Sequence, residues 1–343
     1  MTDRVRCAVI GSGFAGSTFA EALSYAPAAE LVAIAGGRQA DALAEKYRTR
    51  AVATADVDRL IDSAEIDAVL IASPNPFHGP QTLRAAASGK HVLVEKPMAL
   101  SAREGRAMVE ACRKADVVLM PGHHHRFRRN GVAARLLLDR GVIGKVDLAN
   151  LALIEPDQTT WLNNPAYGGY LLGSGSHAID VLRFLVGDVA RVAALTGRYR
   201  GAEVENGSQL LLEFKNGAHG IMQNSVIPRL SRPTAGSGVA RFDVQLTGET
   251  GVLQVDLYGE VRSSTESGWT VPTSLPVWEG HTAFLRLEAY AEEAREFIAA
   301  IRERRAPRVT GEDGLAAVAV VEAAHRSAAD RAWVSVDTIL EEA

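Results

Sequence analysis

The sequence has little cysteine, which argues against a fold held together by disulfides. Only Cys7 and Cys112 occur among its 343 residues, and each lies in a segment typical of a buried strand or helix. Small buried thiols usually belong to a protein core. We therefore expect neither a disulfide framework nor a nucleophilic cysteine.

Long apolar runs and an excess of basic charge are also missing. No apolar run approaches the roughly 18 residues that cross a bilayer, and the charged start, Met1 to Arg6, leads into a strand rather than a secretion signal. The formal net charge is −4, whereas a nucleic-acid-binding face normally needs a basic excess. The sequence therefore predicts a cytoplasmic protein with neither a membrane nor a nucleic-acid partner.

The chain has the length and the pattern of two α/β domains. Its 343 residues suffice for two cores, and 47% hydrophobic with 23% charged residues is ordinary for a globular protein. From Val5 to about Pro121, apolar runs alternate with helix-period segments, which is typical of a parallel sheet covered on both faces. Beyond Lys145, consecutive β-rich segments indicate a large, mostly antiparallel sheet in an α+β domain. We place the domains at residues 1–122 and 123–343.

A glycine-rich turn follows the first apolar run. Gly11 allows a tight turn, Gly13 lets the backbone approach a pyrophosphate, and Gly16 lets the next helix pack closely. The free N–H groups at the helix start then face the phosphates. Such a turn can also be a plain strand-to-helix corner, but the strand before it and the helix after it predict a Rossmann dinucleotide site. Its residues are Gly11, Ser12, Gly13, Phe14, Ala15 and Gly16.

Ligands of parallel sheets bind at the carboxyl ends of the strands, so the next candidates follow the later apolar runs. After the second run, Gly37 gives room and Arg38 a guanidinium, with no carboxylate for the ribose diol of NAD. This favours NADP over NAD, although an Arg38 that stacks on adenine or points to solvent leaves the choice open. After the third run, two prolines stiffen a loop. It is either a plain turn or a set of cofactor contacts made by Ser73, Pro74, Asn75 and His78.

The fourth apolar run ends in Glu95-Lys96-Pro97. Lys96 at the end of a buried strand is either a cation near the nicotinamide ribose and the reacting oxygen or half of a structural pair with Glu95. Local chemistry leaves both interpretations open.

The order of GSGFAG, IASPNPFH and VEKP resembles the Gfo/Idh/MocA family of oxidoreductases. The likeness continues through 122–127, 168–180 and 311–314. It implies an NAD(P)-dependent enzyme that interconverts a secondary alcohol and a ketone on a sugar, sugar derivative or cyclitol. It also implies that a C-terminal helix packs back on the first domain. The antiparallel sheet has a broad face to cover, so we expect a homodimer or homotetramer formed through it.

The segment from Gly168 to Asp180 resembles the catalytic helix of that family. His177 and Asp180 share a helix face; His177 is the expected acid–base group, and Asp180 orients it or caps backbone. Spacing alone would equally fit a histidine that caps the helix or bonds in the core. Many relatives carry an aspartate where this chain has Gly173, which reduces the expected trio to Lys96 and His177. Glu155 or Asp157 could supply a carboxylate to the substrate site.

Three histidines, His123 to His125, precede Arg126. In a strand they would point to alternate sides, and no cysteine or carboxylate cluster lies near them in sequence, so we predict no metal site. The resemblance makes Arg126 a substrate contact; the alternative is a solvated surface charge.

Two other functions are open on the sequence. One is a sensor that binds NAD(P) without chemistry, for which Gly173 is the argument. The other is NAD-dependent glycoside cleavage through transient oxidation, which some relatives perform.

Overall fold

The structure is a computed structural model that describes residues 4–156, 162–227, 241–274 and 284–343. Its contacts divide the chain into two compact units. The first holds the residues up to His124 together with Leu287–Leu315, and the second holds His125–Arg286 and Ala316–Ala343. The domain limits 1–122 and 123–343 stay a prediction.

Six short strands form the sheet of the first unit. They are β1 Val5–Ile10, β2 Ala29–Ala35, β3 Arg50–Val52, β4 Ala68–Ile71, β5 His91–Glu95 and β6 Leu119–Gly122. Their order is β3-β2-β1-β4-β5-β6, and every neighbouring pair is parallel. The central strands are apolar along their whole length because both faces are covered, and Val69, Leu70 and Leu93 are fully buried. The predicted doubly wound parallel sheet is confirmed.

Five helices connect these strands: α1 Phe14–Leu23, α2 Ala40–Tyr47, α3 Val57–Ile61, α4 His78–Ala87 and α5 Ala102–Lys114. The start of α5 is capped by Ser101, whose hydroxyl accepts a hydrogen bond from the Glu104 backbone N–H at 3.2 Å. The start of α1 has no such cap, because Gly13 precedes it and offers no side chain.

The second unit is built on a nine-stranded sheet. Its strands are β7 Val146–Pro156, β8 Val189–Gly197, β9 Gly207–Phe214, β10 His219–Ile227, β11 Arg241–Gly248, β12 Gly251–Asp256, β13 Glu260–Thr265, β14 Gly268–Ser274 and β15 Val334–Ser335. The order is β14-β13-β12-β11-β7-β10-β9-β8-β15, in which only β7 and β10 pair in parallel. The predicted mostly antiparallel sheet is confirmed. Burial alternates along β9, where Leu210 and Leu212 are buried and Leu211 is exposed.

The remaining helices are α6 Arg129–Asp139, α7 Ser176–Leu185, α8 Phe284–Glu303, α9 Gly311–Asp330 and α10 Val336–Glu342. Most of α8 belongs to the first unit, where the ring of Tyr290 lies 5.9 Å from that of Phe19 and Arg295 donates a hydrogen bond to the Tyr25 carbonyl. The helix α7 belongs to the second unit. Within the described ranges, no helix combines the length and the apolar character needed to cross a membrane.

Candidate functional site

The glycine-rich turn connects β1 to α1, and each of its three glycines has a different neighbour. Gly11 has a φ of +101°, and a Cβ there would lie 2.4 Å from the Ala72 carbonyl oxygen. A Cβ at Gly16 would lie 1.8 Å from the Gly11 carbonyl oxygen. A Cβ at Gly13 would meet no protein atom within 4 Å. Gly11 and Gly16 are therefore required by packing. Gly13 instead borders open space at the uncapped start of α1, and this space fits a pyrophosphate.

The rest of the predicted phosphate turn is arranged around this opening. Ser12 is buried, Phe14 is 53% exposed and Ala15 is half-buried at the helix start. The exposed aromatic ring and the open space at Gly13 lie at the same end of α1, so the residues present fit a dinucleotide.

The loop after β2 carries Gly37 and Arg38. The Gly37 N–H donates to Thr54 Oγ1 at 3.3 Å, and the Gln39 N–H donates to Ser12 Oγ at 3.0 Å. Arg38 is exposed and makes no hydrogen bond or ion pair with any residue that the structure describes. A guanidinium whose charge is not offset by the protein is available to an anionic ligand.

The loops after β4 and β5 are joined by His78. Its Nδ1 lies 2.8 Å from the Pro97 carbonyl oxygen and its Nε2 lies 2.8 Å from the Ser73 carbonyl oxygen. Burial lowers the pKa of His78, which is 1% exposed. Ser73 donates its hydroxyl to Gln81 at 2.7 Å. In this conformation His78 holds the two loops together, and its direct contact with a cofactor stays a prediction.

The other two members of the loop after β4 differ in exposure. Asn75 is buried and begins a short 3₁₀ turn, Asn75–Phe77, while Pro74 is exposed before it. The contacts of Pro74 and Asn75 with the cofactor stay a prediction.

Glu95 and Lys96 end β5. Glu95 Oε2 accepts a hydrogen bond from the Lys96 backbone N–H at 3.0 Å, and Glu95 Oε1 is buried with no hydrogen-bond partner in the described part of the chain. Burial raises the pKa of Glu95 to about 7, with the positive charge of Lys96 acting against this rise. The Lys96 side chain is half-buried. A cation therefore stands at the carboxyl end of the sheet beside a carboxyl that is partly protonated at neutral pH.

In the second unit, His177 lies on a continuous helical run. Gly168 and Gly169 both have positive φ, of +90° and +83°, and begin it. A π-helical turn, Leu171–Gly175, follows and leads directly into α7, whose second residue is His177. Such π-helical turns often occur at functional sites. The run is fixed at its start by Glu205, which accepts the Leu171 N–H at 2.9 Å.

Gly173 lies in the π-helical turn, and the space of its missing side chain is filled. A Cβ there would lie 2.3 Å from Leu162 Cδ2. Leu162 is buried in a cluster with Tyr170, Val204 and Val226. The Leu162 side chain thus fills the space next to Gly173 that the aspartate expected at this position would need. Asp157, one possible substitute, lies outside the described residues.

The ring of His125 lies between His177 and two aromatic rings. The His125 ring lies 4.7 Å from the His177 ring and 4.9 Å from the Phe242 ring, and 6.1 Å from the Tyr258 ring. Arg128 lies over Tyr258, with its Cζ 4.4 Å from the ring centroid. Burial raises the pKa of Tyr258, and the negative charge of Glu155 adds to the rise. Glu155, at the end of β7, therefore lies in the electrostatic neighbourhood of these rings.

Arg126 and Asp180 form a buried ion pair in the second unit. Arg126 Nε lies 3.0 Å from each carboxylate oxygen and Nη2 lies 2.7 Å from Oδ1, with side-chain exposures of 10% and 1%. The alternative of a solvated surface charge is therefore wrong for Arg126. Asp180 is one turn from His177, so the pair fixes the helix that carries the histidine. Direct contact of Arg126 with a substrate stays a prediction.

The histidine stretch differs from the alternating strand on which the metal argument was based. Residues His124–Phe127 form a 3₁₀ turn, not a strand. That premise is wrong, since a helical turn does not send neighbouring side chains to opposite faces. The absence of a metal stays a prediction.

The structure groups the predicted residues within each unit. Turn, loop and strand-end candidates share the carboxyl edge of the parallel sheet in the first unit, while Arg126, Glu155, His177 and Asp180 gather in the second. Sequence patterns missed His125, Tyr258 and Glu205. The triple histidine was a signal for the first, but no spacing rule connects the other two to His177.

Comparison with known proteins matches both parts of the chain. Residues 5–123 match "Oxidoreductase family, NAD-binding Rossmann fold", and residues 135–336 match "Oxidoreductase family, C-terminal alpha/beta domain". Inositol 2-dehydrogenase of Rhizobium meliloti is 30% identical over 97% of this chain and 99% of its own length. Myo-inositol 2-dehydrogenase of Thermotoga maritima is 28% identical over 98% of this chain and 100% of its own.

A solved structure shows the same fold. The crystal structure of an oxidoreductase from Agrobacterium radiobacter, in complex with NAD⁺, L-tartaric acid and magnesium, has a TM-score of 0.86, with 22% identity, and covers 98% of this chain and 100% of that one. Two family matches covering most of the sequence, a relative at 30% identity along nearly the whole chain, and the two sheets described above lead to one conclusion. The chain belongs to the Gfo/Idh/MocA oxidoreductase family.

Proposed function

We propose that this oxidoreductase interconverts a secondary alcohol and a ketone on a sugar, sugar derivative or cyclitol, using a nicotinamide dinucleotide. The observation that carries the proposal is the uncapped start of α1, where Gly13 borders open space while Gly11 and Gly16 are packed against backbone. The inositol dehydrogenases that this chain resembles support the substrate class.

The residues that would hold the dinucleotide lie in the first unit. Gly11–Gly16 would receive the pyrophosphate, Gly37 and Arg38 the adenosine ribose, and the loop 73–78 with Glu95 and Lys96 the nicotinamide end. When bound, the nicotinamide accepts or returns the hydride. The fold supplies the position and the charges around it.

Lys96 and His177 would carry the proton and charge chemistry. As the C–H hydride leaves the substrate, His177 takes the hydroxyl proton and the C–O bond becomes a carbonyl. The Lys96 ammonium stabilises the negative charge that develops on that oxygen. In the reverse direction His177 returns the proton to the oxygen.

The substrate side would be formed by Arg126, Glu155 and Asp180 in the second unit. The ion pair between Arg126 and Asp180 holds α7 in place. Both residues would therefore affect the substrate by positioning His177, which lies on the same helix. Glu155 provides a carboxylate near Tyr258. This carboxylate can accept hydrogen bonds from substrate hydroxyls.

We further propose NADP rather than NAD as the preferred dinucleotide. Arg38 is exposed and unpaired within the described ranges, and positions 36 and 37 are glycines, so no carboxylate competes with a 2′-phosphate there. The family description names NAD and the Agrobacterium radiobacter protein binds NAD⁺, so the preference for NADP is argued from Arg38 and the two glycines alone.

We propose a homodimer or homotetramer formed through the nine-stranded sheet. One face exposes Leu148, Leu195, Leu211 and Ile221. Ile221 lies opposite Leu211, and Leu211 lies opposite Ala193, so these three residues form one apolar row across the strands, while Leu148 pairs with His219 and Leu195 with Gln209 beside it. Exposed apolar rows of this kind usually mark protein contacts. The cytoplasm remains the proposed location.

The test is a screen of cyclitols and sugars that follows nicotinamide absorbance with NADP⁺ and NAD⁺. Wild-type protein should turn over at least one polyol. Lys96→Met and His177→Asn should keep dinucleotide binding, measured by calorimetry, and lose about 10²–10⁴-fold in kcat. Tight binding of a dinucleotide without turnover of any polyol would instead favour a sensor. Release of a reducing sugar without net cofactor change would favour glycoside cleavage.

A further inference from the structure

Ser12 and Gly37 meet in the first unit, one from the glycine-rich turn and the other from the loop after β2. Gly37 has a φ of +80°, and a Cβ there would lie 2.4 Å from Ser12 Oγ and 3.1 Å from Ser12 N. Real Cβ atoms do not approach other atoms to 2.4 Å. Ser12 is 1% exposed, so its hydroxyl has little room to move aside. The positive φ favours glycine at position 37, and the Ser12 hydroxyl adds a steric clash for any Cβ there.

The same hydroxyl fixes the backbone beyond Arg38. Ser12 Oγ accepts the Gln39 N–H at 3.0 Å, while the Gly37 N–H donates to Thr54 at 3.3 Å. The backbone on both sides of Arg38 is therefore tied to the unit, and the guanidinium itself stays exposed. Ser12 thus acts on the loop in two ways, by a hydrogen bond and by occupied space.

The neighbouring glycine has a different environment. A Cβ at Gly36 would lie 3.5 Å from Thr54 Oγ1 and 3.7 Å from Val57 Cγ2, which is ordinary van der Waals contact. Its φ of +71° costs some strain for any side chain, and least for asparagine or aspartate. Only position 37 is closed by Ser12.

We propose that Ser12 is a specificity-determining residue that excludes a carboxylate from position 37 and so keeps the loop selective for a 2′-phosphorylated dinucleotide. The inference rests on the proposed function, because it requires a dinucleotide at this turn. A carboxylate in this loop would accept the ribose hydroxyls of NADH and repel the 2′-phosphate of NADPH. Ser12 prevents such a side chain from being seated at position 37, next to the phosphate turn, whereas a Cβ at position 36 meets only van der Waals contacts with Thr54 and Val57.

The experiment is a double-mutant cycle of Gly37→Asp, Ser12→Ala and the double variant. Ser12→Ala removes the hydroxyl, together with its hydrogen bond from the Gln39 N–H, and leaves the backbone N of residue 12 at 3.1 Å and its Cβ at 3.5 Å from the new Cβ. Gly36→Asp, with Ser12 intact, is the matched control. Binding of NADPH and NADH is measured by nicotinamide fluorescence, and the Tm is measured without cofactor.

Gly37→Asp should lower the Tm and should weaken the binding of both NADPH and NADH by about tenfold or more. The double variant should regain Tm and bind NADH about tenfold more tightly than Gly37→Asp, while NADPH stays weak. Gly36→Asp should shift the preference to NADH without help at position 12. If Gly37→Asp does not fold, Gly37→Ala and Ser12→Ala/Gly37→Ala test the same contact by their Tm values.

Two outcomes would overturn the inference alone: a Gly37→Asp protein that binds NADH as well as the double variant does, or a double variant that regains Tm without a change in the NADH to NADPH ratio. A wild-type protein that binds neither dinucleotide would overturn the proposed function, and this inference with it.

Discussion

The two sheets of this chain bury their side chains differently. In the parallel sheet of the first unit, β4 is buried at every position and β5 at all but its first. In the nine-stranded sheet, β9 and β10 bury alternate residues and leave Leu211 and Ile221 about half exposed on the other face. A sheet covered on both faces acts on ligands only through its strand ends, whereas a sheet with a free face can also bind another protein.

This difference agrees with where the candidate residues lie. In the first unit they occupy the turn after β1 and the loops after β2, β4 and β5, all at the carboxyl ends of strands. In the second, the histidine and the ion pair lie on helical segments beside the sheet, and the exposed apolar row lies on its surface. The first unit is therefore suited to hold a dinucleotide, and the second carries both the residues proposed for the substrate and the face proposed for subunit contact.

The largest expected effect comes from one charge placed on each sheet. Leu93→Lys would put a cation in the fully buried centre of β5, next to Leu70 and Met120, and should cost about 5 kcal/mol or more of unfolding free energy. Leu211→Lys, on the exposed face, should cost about 1 kcal/mol or less and lower the molar mass measured by light scattering. Urea denaturation compares the two, and similar losses of stability would contradict the assignment of a free face.

A smaller effect is expected from the titration of Glu95, a buried carboxyl of the parallel sheet. The folded-state pKa of Glu95 is raised to about 7, so its protonated form stabilises the fold at pH values below its ordinary pKa, and this contribution is lost as the pH rises through 7. Between pH 4.5 and pH 8, wild type should lose about 3 kcal/mol relative to Glu95→Gln. Urea unfolding at several pH values measures the difference.

Glu213 on β9 is the matched control. Its partner Arg191 lowers the pKa of this half-buried carboxyl, so any contribution to stability is lost as the pH falls, in the opposite direction. A Glu95→Gln protein with the same pH slope as wild type would show that the buried carboxyl titrates normally.

These comparisons also show what the sequence could and could not predict. Both sheets follow from local patterns, because burial on two faces gives unbroken apolar runs and burial on one face gives alternation. The strand β3 escaped this approach because its three residues, Arg50 to Val52, form no apolar run. The contacts of His177 with His125 and of Leu171 with Glu205 join residues far apart in the chain, and no periodicity encodes them. Gly173 was visible as a departure, but Leu162 as its physical reason was not.

A third prediction compares an open glycine with a filled one. Gly13→Ala should leave the free energy of unfolding nearly unchanged, because its Cβ would meet no protein atom within 4 Å. The same Cβ should weaken the binding of the dinucleotide that is proposed to approach there. Gly173→Asp should cost about 2 kcal/mol, because its Cβ would overlap with buried Leu162. In the double variant Leu162→Ala/Gly173→Asp the loss should be smaller than the sum of the two single losses. Strict additivity, measured by urea unfolding, would mean that Leu162 is not what excludes the aspartate.

The smallest expected effect concerns the free face itself. The ring of Tyr199 covers two paired glycines of neighbouring strands, since a Cβ at Gly197 or at Gly207 would lie 2.5 Å or 2.7 Å from its atoms. Although the side chain is 55% exposed, an aromatic ring over strand glycines replaces the cross-strand contacts that they lack. Tyr199→Ala should therefore cost about 1 kcal/mol, whereas Leu195→Ala, 71% exposed on the same face, should cost about half of that or less. Both are measured by urea unfolding in a Leu211→Lys background, which is expected to weaken the proposed subunit contact. Equal losses would mean that the ring contributes only as ordinary exposed surface, and that the glycine pair needs no cover.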